Sequence, residues 1–550
     1  MNLRHQRRTP RRPRPSRPSR PVNNWRWPGA LLACCALLAC HADREPPGLV
    51  FVNGPEPQSL DPALISGQSE GRLAYCLFEG LTRLDAGGNV IPGAAERWEI
   101  SPDGKIYTFH LRPNLRWSDG QRLTAEDFVQ SWRRVLEPAT GAVYAEVLFV
   151  IDNAQHYQRG ELKDFSQVGI KALDADTLQV RLVAPTPYFI NLVGFTTYLP
   201  TPTNSIRQHG DHWTRPGRLV SNGAYLLQDW KINDRLEFAA NPRYWDADHV
   251  NLKRVDALTV TQGNTAVNLY FTGQADLILD RGLILPQILP GLKTRRDLHI
   301  FNFLGTYFYR FNTSRAPFNN PLIRKAFSAA IDRRAIVDKI TLGGELPATS
   351  LVPDLIKGYQ PYAGIGYDPA QARAWLAAAG YPDGKGFPRV AVMYNASQQH
   401  AGIAVEIQAM WQRELNVSVE LRQVEWTAYL QALDSLDYDI ARSSWVGDYP
   451  DPYTFLGCFT TGFGNNRTGW SNADYDALLG AAGRETDPAK RFALLRDAEK
   501  ILVHDEPPLT PIFFYVGMLL YDPDKFGGLH GTPLDDHPIQ DIYRKDRRQP

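Results

Sequence analysis

Strand-like and helix-like hydrophobic patterns follow one another along most of the chain. Residues 106–111 (IYTFHL) are rich in β-forming side chains and predict a strand, and the Asp-Gly pair at 119–120 predicts a turn after it. Thr124 then begins a helix, because its hydroxyl suits an N-cap and the acids of the first turn favour the positive end of the helix dipole. This interleaving predicts a mixed α/β fold.

The second half of the chain shows the same interleaving. Pro321 predicts the start of a helix and Gly343 its end, while Asp368 caps a shorter helix that ends at Gly380. Other predicted elements are a helix at 400–415, a strand at 417–424, a helical pair within 475–501 and a strand at 511–521. A chain of 550 residues needs two or three lobes. Because no Gly-, Ser- or Pro-rich linker interrupts its middle, we expect strands to cross between them.

The most informative segment is residues 439–452 (DIARSSWVGDYPDP). Its side chains alternate between two faces, as they do in a β-strand. We expect the strand to end before Pro450, because proline has no N–H to donate to a neighbouring strand. Arg442 and Asp448 bracket Trp445 in this short row, so an extended ligand could present its carboxylate to one and its ammonium to the other. The alternative is a buried strand end whose aspartate caps a loop.

The first 48 residues predict an export signal and a tether rather than part of the globular fold. Nine arginines and no acid precede position 40, followed by a ten-residue apolar run, which is too short to span a membrane. We therefore predict a signal peptide at 1–39. Cys40 after Ala39 resembles a lipoprotein cleavage site, which predicts lipidation at Cys40, a tether at 40–48 and a lipid-anchored protein of the periplasm or cell envelope. A signal peptide cleaved elsewhere is the alternative.

Charge and cysteine content narrow the possible partners. Loss of the nine leader arginines leaves 51 basic against 59 acidic residues, a net charge of −8, which gives no electrostatic reason to bind nucleic acid. Behind Cys40 only Cys76 and Cys458 remain. Two such distant cysteines predict buried thiols rather than a disulfide scaffold or a zinc site, with a bridge between them as the alternative.

Metal-binding, redox and phosphate-binding catalytic motifs are missing from the sequence. There is no His-Glu-x-x-His helix, no Cys-x-x-Cys pair and no phosphate loop. We therefore predict a binding protein that is not an enzyme and holds no metal or cofactor. The alternative from another class is an exported glycoside-cleaving enzyme that uses Asp448 and Asp451 as its two carboxylates.

Short stretches over nearly all of the exported chain are together similar to a known family. They are 58–62 (QSLDP), 77–81 (LFEGL), 107–112 (YTFHLR), 116–120 (RWSDG), 124–128 (TAEDF), 222–225 (NGAY), 241–246 (NPRYWD), 316–318 (APF) and 442–452 (RSSWVGDYPDP). The chain resembles the oligopeptide-binding components of ABC peptide importers, the family 5 extracytoplasmic solute-binding proteins.

The resemblance implies a two-lobed periplasmic-binding-protein fold with a hinge and an additional inserted domain. Its implied boundaries are lobe I at 49–78, 204–304 and 516–550, inserted domain II at 79–203, and lobe III at 305–515. A monomer of this kind captures oligopeptides between its lobes and delivers them to the membrane permease subunits of an ABC importer. Relatives on the same scaffold bind murein peptides, dipeptides, opines, sugars or metal chelates, so the ligand class is the most open part of the prediction.

Roles for the charged residues also come from the resemblance. Asp448 matches the carboxylate that meets the peptide ammonium, and Arg442 and His400 match cations near the carboxyl end of the peptide. For His400 the alternative is a solvent-exposed histidine at a helix N-terminus. Arg310 stands where well-known members carry an acid, which leads us to expect a weaker preference for lysine-rich peptides.

The remaining implied binding residues surround the same path. Trp426 and Trp445 match walls of side-chain pockets, and Tyr144 matches a cleft residue from the inserted domain. Four further positions match peptide-binding residues, mainly through backbone groups: Gln68, Ser444, Val446 and Gly447. Two other departures from the family pattern are Thr341 in place of a lysine and Ser66 in place of a glutamate.

Overall fold

A computed structural model describes residues 48–65, 67–142 and 144–545. Its strands are β1 (Leu49–Gly54), β2 (Thr82–Leu84), β3 (Val90–Pro92), β4 (Ala95–Ile100), β5 (Ile106–Leu111), β6 (Ile170–Ala172), β7 (Thr177–Arg181), β8 (Tyr225–Lys231), β9 (Arg235–Ala240), β10 (Arg254–Thr259), β11 (Leu277–Ile278), β12 (Leu298–Phe311), β13 (Leu346–Pro347), β14 (Val390–Asn395), β15 (Val419–Val424), β16 (Ile440–Val446), β17 (Leu509–Tyr521), β18 (Phe526–Gly527) and β19 (Tyr543–Arg544).

The α-helices in the same ranges are α1 (Gln68–Leu77), α2 (Ala125–Leu136), α3 (Ala154–Gln158), α4 (Phe189–Leu192), α5 (Thr203–His209), α6 (Gly263–Phe271), α7 (Leu289–Leu292), α8 (Pro321–Ala329), α9 (Arg333–Ile336), α10 (Pro369–Ala378), α11 (Gln398–Leu415), α12 (Trp426–Asp434), α13 (Tyr453–Leu456), α14 (Ala473–Ala482) and α15 (Pro488–Lys500). None of the described helices combines the length and the apolar character needed to cross a membrane. The predicted α/β class is confirmed.

One large mixed sheet organises the molecule. Its strand order is β15-β14-β16-β12-β17-β11-β1-β10-β9-β8, with β13 beside β17. The long antiparallel pair β12 and β17 lies at its centre, and the pairing between them is irregular between Asn302 and Thr306. On one side of this irregularity β17 continues to β11, and on the other β12 continues to β16. Two strands therefore run through both halves of the sheet, as the missing linker predicts.

A smaller sheet with the order β4-β5-β7-β6 lies within residues 95–181. Helix α2 packs against this sheet, and its N-terminus is the capping box formed by Thr124 and Asp127, whose Oδ2 accepts from the Thr124 N–H at 2.7 Å. The hydrophobic core beneath them continues from Leu49 to Ile542 and so includes β1 and the C-terminal segment. The boundaries drawn above for three domains remain a prediction.

One predicted helix is wrong in its length. The pattern from Pro321 to Gly343 forms two α-helices, α8 and α9, followed by a single π-helical stretch at 337–341. The break lies at Asp332, whose side chain accepts from the Ala335 N–H at 3.1 Å and thereby caps a new helix start. The side chain of Asp332 competes locally with the helical backbone, which hydrophobic spacing does not reveal.

Candidate functional site: an acidic cavity beside an open strand edge

A cavity of about 530 Å³ lies between the N-terminus of α1, the segment after β16 and a C-terminal loop. Eight of the predicted binding residues line it: Gln68, Tyr144, Trp426, Ser444, Trp445, Val446, Gly447 and Asp448. Trp426 is 51% exposed and its ring stacks on Tyr429 with centroids 5.5 Å apart. The fold thus brings together residues that lie up to 380 positions apart in sequence.

Asp448 is the carboxylate of this cavity without a counter-charge. Its Oδ2 accepts only a long bond, 3.5 Å, from the Thr454 hydroxyl. Within the described part of the chain no ion pair reaches it, and the one charged neighbour that acts on it is Glu146, another acid. Burial, more than Glu146, raises the pKa of Asp448 to about 7. A cation that entered the cavity would remove this cost.

The strand that leads to Asp448 has an open edge. On one side β16 pairs with β12 along its whole length, from Ile440 to Val446. On the other side β14 pairs only with Ile440 and Ala441. Beyond Ala441 no strand within the described ranges covers this edge. The Arg442 carbonyl accepts from the Tyr429 hydroxyl, which leaves the strand from Ser443 onward for an extended guest.

Asp536 is a second carboxylate in the cavity, and sequence reasoning missed it. It lines the cavity together with Arg72, whose guanidinium is bonded to Asn53 at 2.7 and 3.1 Å. Burial and the neighbouring Asp535 raise the pKa of Asp536 to about 7, while Arg72 lowers it. The only sequence signal was the acidic pair at 535–536, which has no pattern that would place it in a cavity.

An aromatic stack holds the loop that carries Asp448 against the segment before α4. The ring of Tyr188 lies parallel to that of Tyr449 with centroids 4.4 Å apart, and Tyr453 follows at 5.9 Å. Arg491 lies over Tyr188 at 5.8 Å and also binds the Asp451 carboxylate at 2.7 and 2.9 Å. Asp451 therefore serves as a buried ion-pair partner and does not line the cavity. This weakens the glycosidase alternative, which needs Asp451 beside the ligand.

Arg442 and His400 lie outside the residues that line the main cavity. Arg442 is 8% exposed, and its Nη2 donates to the Ser444 and Tyr515 hydroxyls at 3.2 and 3.1 Å. The His400 ring lies near Tyr307, with Nδ1 3.5 Å from the tyrosine hydroxyl. Burial, and then Arg442, lower the pKa of His400 to about 3. The imidazole is therefore neutral at pH 7 in the empty protein, and its role as a cation near the peptide carboxyl end stays a prediction.

Arg310 and Arg442 line a smaller pocket, of about 100 Å³, which shares Trp426, Ser444 and Trp445 with the cavity. Thr341, the other departure inside the described ranges, is buried and donates to Glu345 at 2.7 Å. Ser66 lies outside the described residues, as do the predicted signal peptide and Cys40. Cys76 and Cys458 are both buried and free, in agreement with the preferred prediction.

Comparison with known proteins agrees with this architecture. The family model described as "Bacterial extracellular solute-binding proteins, family 5 Middle" matches residues 89–467. The chain is 37% identical over 479 residues to the oligopeptide-binding protein OppA of Bacillus subtilis (strain 168), covering 85% of this chain and 87% of that protein. It is 36% identical over 508 residues to the probable deoxycholate-binding periplasmic protein YgiS of Escherichia coli (strain K12), covering 90% and 92%.

Among solved structures, the chain is similar to a periplasmic oligopeptide-binding protein/oligopeptide ABC transporter (OppAIV) from Borrelia burgdorferi. The TM-score is 0.81 at 33% identity, covering 90% of this chain and 100% of that one. The fold and cavity define an extracytoplasmic solute-binding protein with two α/β lobes. The chain belongs to family 5 of the bacterial extracellular solute-binding proteins.

Proposed function

We propose that this protein captures oligopeptides in the cavity beside β16 and delivers them to an ABC importer. The observation that carries the proposal is Asp448, a half-buried carboxylate that lines the cavity and has no cationic partner from the described chain. A peptide ammonium supplies the missing charge and the hydrogen-bond donors in one group. The open edge of β16 supports an extended peptide, since its backbone groups can continue the ladder.

The names of the relatives supply the transport step. The Bacillus protein is named for oligopeptide binding, and the Borrelia structure for an oligopeptide ABC transporter. We propose the same partners here: an oligopeptide and the membrane permease subunits, with the protein acting as a monomer that returns its ligand unaltered. Cys40 then serves as the lipid attachment site that keeps it at the membrane. The lobes at 49–78, 204–304 and 516–550 and at 305–515, with the insert at 79–203, close around the ligand.

The roles of the individual residues follow from their positions. Asp448 binds the peptide ammonium, and the backbone of β16 and Gly447 pairs with the peptide main chain. Trp426, Trp445 and Tyr144 form walls that tolerate varied side chains, because aromatic surface provides contact area for many partners. Gln68 contributes from the N-terminus of α1. Arg442 and His400 keep their assignment to the carboxyl end as a prediction.

Deoxycholate is the competing ligand class, because one close relative is named for it. Three carboxylates, Glu79, Asp448 and Asp536, line the cavity. Its two arginines already have partners, since Arg83 pairs with Glu79 and Arg72 is bonded to Asn53. Asp448 has no counter-charge, and an anionic steroid would not supply one. This charge distribution favours a guest with a cationic end.

Calorimetric titration of ligand-stripped protein with trialanine, deoxycholate and a neutral oligosaccharide separates these classes. We expect trialanine to bind and to be recovered intact by chromatography. Binding of deoxycholate alone would replace the peptide by a steroid, and cleavage of the oligosaccharide would restore the enzyme alternative. Uptake of a labelled peptide by cells with and without the intact gene then tests delivery to the importer.

A further inference from the structure

The smaller pocket is placed to receive one side chain of a ligand in the main cavity. Its walls come from β12, β16, α12 and the segment 458–467, and Trp426, Ser444 and Trp445 belong to both spaces. Its volume of about 100 Å³ corresponds to roughly three water molecules at about 30 Å³ each. That is enough room for a short polar side chain.

Arg310 provides the charge of this pocket, because the guanidinium of Arg442, which also lines it, lies over Tyr307 on the opposite face of the sheet. It is 6% exposed, and the β12–β16 register places it on the same sheet face as Ser443 and Trp445. Its Nε and Nη2 both donate to the single Ser443 hydroxyl, at 3.0 and 2.7 Å, and Nη1 reaches the Asn465 carbonyl only at 3.5 Å. None of the described carboxylates pairs with it, and burial lowers its pKa from the usual arginine range.

Two other buried arginines, on helices α8 and α9, show the contacts of an arginine with a structural role. Arg333 donates to three backbone carbonyls and two hydroxyls, and Arg324 donates to three carbonyls. Both fix chain segments around β17. Arg310 has five N–H groups but only two acceptors, so part of its hydrogen-bonding capacity is unused. A buried charge with unused donors costs free energy.

The remaining groups at the pocket also favour an acceptor. The indole Nε1 of Trp445 is buried with no acceptor in the described ranges. Arg467 lines the pocket as well, but its guanidinium lies 2.7 Å from the Asp434 carboxylate and is neutralised. A carboxylate accepts hydrogen bonds and donates none, and its two oxygens match the fork of a guanidinium.

We propose that the pocket takes the side-chain carboxylate of a glutamate or aspartate residue of the bound peptide, with Arg310 as its counter-charge. The proposal rests on the proposed function, because it assumes a peptide in the main cavity. It extends that function by a side-chain preference: among otherwise equal peptides, those with an acidic residue at the position over Trp426 bind most tightly.

The test compares tripeptides that differ in the side chain at one position. Ligand-stripped protein is titrated with alanine tripeptides that carry glutamate at the first, second or third position, and with the matching glutamine and lysine series. We expect at one position a preference for glutamate over glutamine of about tenfold to a hundredfold, the range of a hydrogen bond to a charged group. Lysine at that position should bind most weakly.

Variants assign the preference to Arg310. Arg310→Met and, as a second variant in case the first does not fold, Arg310→Gln should bind glutamate and glutamine peptides equally. Arg315→Met is the matched control, because Arg315 pairs with Asp439 and lines neither space; it should keep the preference. Equal binding of glutamate and glutamine peptides by the unaltered protein, or a preference that survives in both Arg310 variants, would overturn the inference and leave peptide binding intact. Failure of every tripeptide to bind would overturn the proposed function and this inference with it.

Discussion

Asp448 and Asp451 lie three residues apart in the loop after β16, yet their surroundings differ completely. Asp451 is 6% exposed and binds Arg491 through two hydrogen bonds, at 2.7 and 2.9 Å. Asp448 lines the cavity and has only a 3.5 Å bond from Thr454. Asp451 has its partner within the chain, whereas no described residue neutralises Asp448. The proposed ligand site is therefore inferred from an unmet charge rather than from the type of residue.

The same contrast separates the buried arginines. Arg333 has acceptors around all of its nitrogens, and Arg310 shares one hydroxyl between two of them. In both pairs the saturated member supports architecture, because removal of one partner from a buried ion pair or hydrogen-bonded charge is strongly destabilising. The unsaturated member carries a desolvation cost, which the proposed ligand would relieve.

The largest effect should come from removing the charge of Asp451, the aspartate that is paired with Arg491. Asp451→Asn leaves Arg491 buried without its counter-charge and should lower the free energy of unfolding by about 3–5 kcal/mol. Thermal unfolding of the ligand-free protein followed by circular dichroism measures this loss. Peptide affinity at a temperature where the variant is still folded should change little. An unaltered unfolding temperature would show that the pair contributes nothing to stability.

Asp448→Asn should have the opposite profile. Loss of the charge-assisted contact leaves the peptide ammonium unpaired and should weaken binding by about 2–5 kcal/mol. The unfolding temperature of the ligand-free variant should stay the same or rise, because a neutral amide replaces a carboxylate that burial disfavours. Calorimetric titration with trialanine measures the affinity, with Asp451→Asn as the control. Unchanged affinity would remove Asp448 from its role.

The affinity for peptides should rise with pH between about 5 and 7. Burial holds the pKa of Asp448 near 7 in the empty protein, so below that pH the carboxyl must lose a proton before it pairs with an ammonium. The expected slope is up to about tenfold per pH unit, since one pKa unit corresponds to about 1.36 kcal/mol. Titrations in a pH series measure it, and Asp448→Asn should flatten the slope. A flat curve for the unaltered protein would contradict the assignment of the raised pKa.

The stability of the empty protein should change with pH in the opposite direction. The pKa of Asp448 in the folded protein is raised above its ordinary value near 4, so the folded state holds a proton that the unfolded state has already lost. The free energy of unfolding should therefore fall as the pH rises from about 4 to 7. Asp536 adds to this trend because its pKa is raised to a similar value. Unfolding temperatures across the same pH series check the sign.

The smallest effect concerns the aromatic stack that holds the Asp448 loop. Tyr188→Leu keeps an apolar side chain but removes the parallel ring contact with Tyr449, which is worth about 0.5–1.5 kcal/mol. We expect peptide dissociation to become about twofold to tenfold faster, measured by stopped-flow displacement. Tyr157→Leu is the control, because Tyr157 packs on Phe165 and does not line the cavity. Equal dissociation rates in the two variants would show that the Tyr188–Tyr449 stack does not slow the release of the peptide.

Local chemistry explains which parts of the fold the sequence predicts well. The capping box of Thr124 and Asp127 depends on neighbouring residues, and so does β16, which ends at Val446, before Pro450. Their patterns can therefore be read from the sequence. The helix from Pro321 was predicted too long because Asp332 offers a competing cap in the middle of a continuous hydrophobic stripe. Its effect depends on side-chain geometry that spacing does not encode.

The candidate site divides in the same way. The motif around Asp448 and Trp445 could be found by resemblance, because the residues that form it are contiguous. Asp536 could not be found, since the C-terminal loop reaches the cavity only through the tertiary fold. The neutral state of His400 was likewise beyond the sequence, because it results from burial and from Arg442 together.

The central claim is that the missing partner of Asp448 is the ammonium group of a ligand. Titration of ligand-stripped protein with trialanine and with N-acetyl-trialanine at pH 7.5 tests it most directly, since the acetyl group removes only the charge and its donors. We expect the free peptide to bind and the acetylated one to bind at least about thirtyfold more weakly, the lower end of the 2–5 kcal/mol range. Equal affinities for the two peptides would contradict the account.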